Sequence, residues 1–434
     1  MAVIRLAFVA PLPPAPTGVA DYALEVMDLL SARGDVEIDA FWGEDAGRWP
    51  KLPVGTRLFP SSDLLPRHAE RPYDLALYQL GNGSAHDFLY GLLARLPGLL
   101  VLHDLVLHHS RARMFLASDA AQAYAREPWS TTRRSAARED IGRYVAELEY
   151  CYPGRGERLA AAHLETSGRL LPYAYPLFRI PVEASRLTLV HNDFMAREIR
   201  AEVPGASIGV VSHHARTVAV APEDVAALRR RLGIGDDELV VGSFGLLSHE
   251  KQIETVARAV ARCAAHLPRL RLLLVGGVPE PGSLSRLLEA MGVAGRTILA
   301  GRVPWDELPL YMTLPDMVVQ LRYPSAGETS GALLRLLAQG RPAIVSDIPN
   351  QADLPESAVT RADLVDEEGD VTRAILRLAA SPSLRARMSL AARSFVAEFH
   401  SPEHTVAGYW EAIQRAIALP DPEPRSWPAH WSTT

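Results

Sequence analysis

Residues 238–277 read "ELVVGSFGLLSHEKQIETVARAVARCAAHLPRLRLLLVGG". The opening run, "ELVVGSFG" (238–245), is continuously apolar rather than alternating, as in a strand buried on both faces of a parallel sheet. Gly245 closes it. "KQIETVARAVARCAAHL" then repeats its apolar residues at helical spacing, and "LRLLLVGG" (270–277) is a second buried strand that also ends in glycine. Strand, glycine turn, helix and strand make one βαβ unit. Two parallel strands need such a crossover helix between them.

The same rhythm extends in both directions. Downstream, "RTILAG" (296–301), "DMVVQLR" (316–322) and "RPAIVSD" (341–347) read as further strands. Upstream, "VIRLAFVA" (3–10) passes through a proline-rich loop to Gly18 and the helix "VADYALEVMDLLSARG". Val19, Ala23, Met27 and Leu30 share one face of that helix, and Gly34 is its stop signal. "VEIDAFW" (36–42), "YDLALYQLG" (73–81), "GLLVLHD" (98–104) and "RLTLVHN" (186–192) complete the first series. The expected fold is α/β, with two Rossmann-like doubly wound domains facing a central cleft. Ligands of such sheets sit outside the carboxyl ends of the strands.

The expected boundaries are an N-terminal domain over 1–212, a linker over 213–237, a C-terminal domain over 238–400, and a final helix with tail over 401–434. A helical insertion at about 110–181 breaks the first series. The Pro- and Trp-bearing tail reads as loosely ordered.

A chain of 434 residues is too long for one ordinary core. The net charge of −6 gives no footprint for nucleic acid. Two cysteines make no disulfide framework and fit a reducing cytoplasm. The first apolar run is short and leads into "PLPPAPTG", so it reads as a strand rather than a signal peptide. No stretch has the ~18 apolar residues of a spanning helix. The aromatic piece "LPYAYPLF" (171–178) suits either core or a peripheral contact with a membrane or acceptor.

Several loops carry chemistry. In "GSFGLLSHEKQ" (242–252), Gly245 allows close approach of backbone to ligand, and Lys251 falls in the first turn of the next helix. The positive helix start disfavours a lysine there unless both share an anion. The bland alternative is a solvated lysine. "YPSAGETSGALLRLLAQG" (323–340) has the same form, with Thr329 and Ser330 as natural caps, Gly331 removing side-chain bulk, and Glu328 just before them. A well-capped helix alone would also explain it. Gly18 lies at the first strand–helix turn without a G-x-G-x-x-G pattern. His103 ends a strand beside Asp104. His108 and His109 have no third ligand at convincing spacing, so no metal site is expected. His213 and His214 read as exposed. No P-loop, G-x-S-x-G elbow or strand-end D-x-D pair is present.

Taken together and in order, "PLPPAPTGVADY", "YDLALYQLGNGSAHDFLY", "LVLHDLVLHH", "GSFGLLSHEKQIETVARAV", "LAGRVPWDELPLYM" and "LRYPSAGETSGALLRLLAQGRPAIVSD" resemble family 4 glycosyltransferases of the GT-B fold. The resemblance covers nearly the whole chain and is weakest over 110–181. It implies a retaining sugar transfer from a nucleotide-diphosphate donor, without metal or cofactor. The C-terminal domain would hold the donor and the N-terminal domain the acceptor, a glycan, polysaccharide precursor or natural product. Matched position by position, Gly18, Gly245, Lys251, Thr329, Ser330 and Gly331 would meet the diphosphate, and His103 and Glu328 the transferred sugar. Arg302 and Val303 would lie beside the nucleoside.

Two positions depart from the pattern. Leu246 stands where the family has a phosphate-binding arginine, a charge that Arg322 or Arg302 would replace. In the family's E-x7-E pair, Gly327 aligns with the first glutamate and Arg335 with the second, which normally holds ribose. Glu328 is displaced by one residue. The alternatives are an epimerase or hydrolase acting on the nucleotide sugar alone, and a catalytically degenerate binding subunit.

Overall fold

The computed structural model describes residues 3–43, 50–166, 170–423 and 425–433. The chain divides into two compact units. One holds residues 1–211, 326–328 and 406–434; the other holds 212–325 and 329–405.

The first unit is built on seven strands: β1 (Ile4–Val9), β2 (Val36–Trp42), β3 (Arg57–Pro60), β4 (Leu75–Leu80), β5 (Leu99–Leu102), β6 (Leu187–Val190) and β7 (Ile208–Val210). Their order is β3-β2-β1-β4-β5-β6-β7, with every pair parallel. Winding reverses between β1 and β4, where Leu6 pairs with Leu75. The second unit has β8 (Leu239–Phe244), β9 (Leu270–Val275), β10 (Thr297–Gly301), β11 (Met317–Gln320), β12 (Ala343–Ser346) and β13 (Val359–Ala362). Their order is β10-β9-β8-β11-β12-β13, all parallel, and winding reverses between β8 and β11.

Successive strand residues point to opposite faces, so each sheet carries two cores. In the first unit Leu6, Phe8, Leu75, Leu77 and Val101 pack under the helices Gly18–Ser31 and Pro402–Ala418. Ala7, Val9, Ala76, Tyr78 and Leu100 face the other way, toward Tyr144 and Leu148 of the helical insertion. In the second unit Val241, Leu272 and Leu274 pack against helix Ile253–Ala264, while Val240, Leu273 and Val275 pack against helix Gly331–Ala338.

The final residues correct the expectation of a loose tail. Trp431 is buried, and its indole N–H donates to Glu147 Oε2 at 2.8 Å. Glu147 pairs with buried Arg111, whose guanidinium lies 4.4 Å from the Tyr90 ring centre and 4.5 Å from that of Trp431. A buried ion pair needs this enclosure by further donors and rings. No described helix is long and apolar enough to cross a membrane.

Candidate functional site

In the second unit the strand-end glycines set the geometry. Gly245 follows β8 with φ +111°, and Gly276 follows β9 with φ +142°. A Cβ on Gly276 would fall 1.7 Å from the Gly245 carbonyl oxygen. Only glycine allows the two strand ends to approach so closely.

Lys251 lies beside this pair. It is buried, and its Cε and Nζ lie 3.5 and 3.7 Å from where a Gly245 Cβ would stand. The sequence placed Lys251 in the first turn of the following helix. The structure instead gives a short 3-10 turn, His249–Lys251, and starts the helix at Ile253. Gln252 separates them in the left-handed region, at φ +51°. Its side-chain amide donates to the Tyr323 carbonyl at 2.7 Å, and the Tyr323 N–H donates to the Glu250 carbonyl at 2.9 Å. The lysine turn is thereby tied to the segment that carries Arg322, whose N–H donates to Ser346 Oγ at 2.9 Å. A desolvated ammonium attracts an anion more strongly than a solvated one. Leu246 is largely exposed and adds no charge.

Helix Gly331–Ala338 begins as expected. Ser330 caps it by accepting the Leu333 N–H at 3.3 Å, with Thr329 immediately before. A Cβ on Gly331 would lie 3.0 Å from Arg335 Nη1 and 3.1 Å from the His213 ring. Arg335 donates to the Gly331 carbonyl at 3.4 Å, and its guanidinium lies 4.8 Å from the centre of the Trp305 ring. Trp305 is half exposed and shares the loop after β10 with exposed Arg302 and half-buried Val303. Of the expected nucleoside residues, Arg335 is thus tied to the loop that carries Arg302 and Val303 by a tryptophan that the sequence reading passed over.

His213 and His214 correct another expectation. Both are buried. His213 Nδ1 donates to the His214 carbonyl at 3.0 Å, and His400 Nδ1 donates to the His213 carbonyl at 2.8 Å. The Ala215 N–H donates to the His400 carbonyl at 2.9 Å, so the start of the expected linker packs against the end of the helix Pro382–Phe399.

In the first unit a line of side chains crosses the carboxyl ends of four adjacent strands. Gln79 of β4 lies with its terminal amide 2.6 Å from Nε2 of His103, which follows β5. His103 Nδ1 lies 3.2 Å from Nε2 of His191, which follows β6. His191 Nδ1 lies 3.0 Å from the carbonyl oxygen of Val211, just past β7. All three side chains are buried. Burial first, then the neighbouring His191 and His86, holds the His103 imidazole well below its usual pKa. Both His103 nitrogens have protein partners, so a ring hydrogen bond to a sugar requires one of them to give way. The sequence signal for His191 was present: "LVHN" repeats the strand-end pattern of "VLHD".

Gly18 opens its helix behind the Thr17 cap, and a Cβ there would meet nothing within 4 Å. Residues 326–328 belong to this unit. The Leu105 N–H donates to the Ala326 carbonyl at 2.7 Å, and Asn192 Nδ2 donates to the Gly327 carbonyl at 2.9 Å. Half-buried Glu328 follows directly. His108 has a packing role: its Nδ1 donates to the Tyr175 carbonyl and its Nε2 accepts from Tyr144. Among the described residues no group of three or more His, Cys, Asp or Glu is placed to hold a metal.

Comparison with known proteins agrees with the fold. Residues 224–395 match the family model "Glycosyl transferases group 1". The D-inositol 3-phosphate glycosyltransferase of Stackebrandtia nassauensis is 31% identical over 222 residues, which cover 47% of this chain and 49% of that protein. The chain therefore spans about half the length of the curated relatives it matches. Among solved structures, sucrose-phosphate synthase from Thermosynechococcus elongatus aligns over 96% of this chain and 99% of its own, with a TM-score of 0.68 and 17% identity. Anabaena HepE in complex with UDP-glucose aligns over 95% and 99%, with a TM-score of 0.63 and 14% identity. Such identities speak for the fold alone. The chain has the GT-B fold of two Rossmann-like domains, and residues 224–395 are similar in sequence to group 1 glycosyltransferases.

Proposed function

We propose that this chain is a retaining glycosyltransferase. It moves a sugar from a nucleotide-diphosphate donor to a hydroxyl-bearing acceptor, in the cytoplasm, without a metal or bound cofactor. The observation that carries the reading is Lys251, buried against Gly245 at the carboxyl end of β8, inside the segment similar to group 1 glycosyltransferases.

In this reading Gly18, Gly245, Lys251, Thr329, Ser330 and Gly331 receive the diphosphate. Arg322 supplies the cation that Leu246 does not. Arg302, Val303 and Arg335 flank the nucleoside. Glu328 accepts hydrogen bonds from hydroxyls of the transferred sugar, and His103 orders the acceptor side. As the sugar–phosphate bond breaks, negative charge grows on the leaving diphosphate. A fixed ammonium and oriented backbone N–H groups stabilise that charge without reorganising. HepE is described with UDP and UDP-glucose, which makes a uridine diphosphate sugar the first donor to test. The inositol-phosphate relative supports a polyol or glycoconjugate acceptor.

A thermal-shift screen of nucleotide sugars, followed by acceptor-dependent release of nucleoside diphosphate, tests the proposal. A donor at one hundred times Kd stabilises by about 2.7 kcal/mol, which raises Tm by several degrees. Transfer should continue in EDTA. Donor turnover without acceptor would identify a hydrolase or epimerase instead. No stabilisation and no turnover across a broad donor and acceptor panel would refute the enzyme reading.

A further inference from the structure

Residues 419–431 read "LPDPEPRSWPAHW", with prolines at 420, 422, 424 and 428. Proline fixes φ and removes a backbone donor, so such a run neither extends the helix Pro402–Ala418 nor joins a sheet. Among the described residues, the backbone of 421–427 makes no hydrogen bond to other backbone. Side chains hold it, at three points of the first unit.

Asp421 Oδ1 accepts from Arg186 Nε at 2.6 Å. Glu183, at the end of the short helix Arg179–Glu183, accepts from Arg425 Nη1 and from the Trp427 indole N–H, each at 3.4 Å. Asp421 and Arg425 are exposed, so solvent and salt weaken these two contacts. The third is buried. Glu147 of helix Arg138–Cys151 takes the Arg111 guanidinium of helix His108–Leu116 in two bonds, at 2.5 and 2.6 Å. Its Oε2 also lies 2.8 Å from both His430 Nε2 and Trp431 Nε1. The Trp431 ring meets Tyr90 edge-on, with centres 5.7 Å apart, and covers the guanidinium. The His430 ring meets that of Phe115 at 4.8 Å. Without these groups water would reach the ion pair, and its attraction would fall as the local dielectric rose. None of the three anchors lies on a strand.

Helix His108–Leu116 carries this grip toward the strand ends. Ser110, one residue before Arg111, donates its N–H to Asn82 Oδ1 at 3.0 Å, in the loop after β4. The Asn82 N–H donates to Asp104 Oδ2 at 2.8 Å, next to His103 after β5. The Leu107 N–H donates to the Pro176 carbonyl at 2.8 Å.

We infer that the segment from Asp421 to Trp431 is a strap. It holds helix His108–Leu116 against helix Arg138–Cys151 and, through Ser110 and Asn82, sets the loops after β4 and β5. Its release loosens the helical insertion while the strands stay paired. Trp431 is then a positioning residue. The strap stands on these contacts; its effect on acceptor use rests on the proposed function.

The test is hydrogen exchange on the full chain, read by mass spectrometry in urea below the unfolding transition. Residues 425–433 and helix His108–Leu116 should open together, before β4 and β5. A single opening shared with those strands would overturn the inference. Trp431→Ala should speed exchange in helices His108–Leu116 and Arg138–Cys151 by about tenfold or more, with β4 and β5 as in wild type. Trp431→Phe, which keeps a ring for Arg111, should recover part of the protection. Unchanged exchange in the helices would make the tail a passenger, and a Trp431→Ala chain that does not fold would make it part of the core. Either result refutes the strap. For whichever acceptor the panel yields, Trp431→Ala should raise the acceptor KM several-fold and leave nucleoside diphosphate affinity unchanged. An unchanged acceptor KM would remove the positioning role. If the wild-type chain transfers no sugar, the proposed function fails, and the exchange pattern still decides the strap.

Discussion

The Arg335 guanidinium stacks over the Trp305 ring, 4.8 Å from its centre, and so ties helix Gly331–Ala338 to the loop after β10. A cation–π pair at a part-exposed site contributes about 0.5–1 kcal/mol. Trp305 belongs to the same loop as Arg302, the loop proposed to meet the nucleoside. Trp305→Ala and Arg335→Ala should each weaken nucleoside diphosphate binding by a few fold, and Trp305→Phe should keep most of it. Calorimetric titration checks this. Loss of thermal stability with unchanged affinity would make the pair purely structural.

Lys251 gives a larger effect. A hydrogen bond to a charged partner contributes roughly 1.5–3 kcal/mol, so its loss should cost about ten- to a hundredfold in diphosphate affinity. Lys251→Met is the better variant, because the side chain is buried and its volume should be kept. The same titration decides. Diphosphate affinity equal to wild type in a folded Lys251→Met protein would remove Lys251 from the site.

The long buried strands were legible because continuous apolar runs carry their own signal. β3, β7 and β13 were not. "RLFP", "IGV" and "VTRA" are short outer strands that lack an unbroken buried run, so neither period nor hydrophobicity marks them. The cap at Ser330 was legible because capping is local. At Gly327, which the resemblance matches to a glutamate, φ is +79° and a Cβ would meet Leu105 at 3.1 Å, so a glutamate would be strained there. The line through Gln79, His103, His191 and Val211 was invisible because its members are 20 to 88 residues apart. Only the strand order makes them neighbours.

Gly276→Ala should destabilise the protein severely. The added Cβ would overlap the Gly245 carbonyl, and φ +142° does not suit alanine. Strain and forced separation of the strand ends should cost about 3 kcal/mol or more. Gly277→Ala is the control, since its Cβ would meet only Leu246 Cδ1 at 3.5 Å. Urea unfolding of both should show a large loss for the first and little for the second. Equal midpoints would contradict the close approach of β8 and β9.

Stability should also carry a pH signature at Glu202, the last residue of helix Asp193–Glu202. Its Oε1 is buried without a partner among the described residues, and burial pushes the carboxyl up to about 7. An unfolded glutamate titrates near 4.3. Between those values the folded state binds more protons than the unfolded state, so this group's contribution falls as pH rises. Glu202→Gln should therefore match wild type near pH 4 and exceed it above pH 7. The gain should be roughly 1–2 kcal/mol after allowance for solvent screening. Melting temperatures at pH 4, 6 and 8 test the sign. A variant less stable at pH 8 would show that the carboxylate is paired there.

Glu328 separates sugar recognition from diphosphate recognition. It precedes Thr329 and the Ser330 cap, whose helix start offers N–H groups to an anion. A carboxylate turned toward a diphosphate would be repelled, whereas sugar hydroxyls donate hydrogen bonds that it accepts. Its position is well held, because the preceding Gly327 carbonyl accepts from Asn192 and the Ala326 carbonyl from Leu105. Glu328→Gln keeps the size of the side chain and removes its charge. An ionic hydrogen bond used in the transition state contributes roughly 1.5–3 kcal/mol, so kcat/KM for transfer should fall about ten- to a hundredfold. Affinity for the sugar-free nucleoside diphosphate should stay within a few fold of wild type. The decisive measurement pairs steady-state transfer with diphosphate titration on the same preparation. Wild-type transfer, or a defect fully matched by lost diphosphate affinity, would remove Glu328 from the sugar and assign it to the phosphate or to the fold.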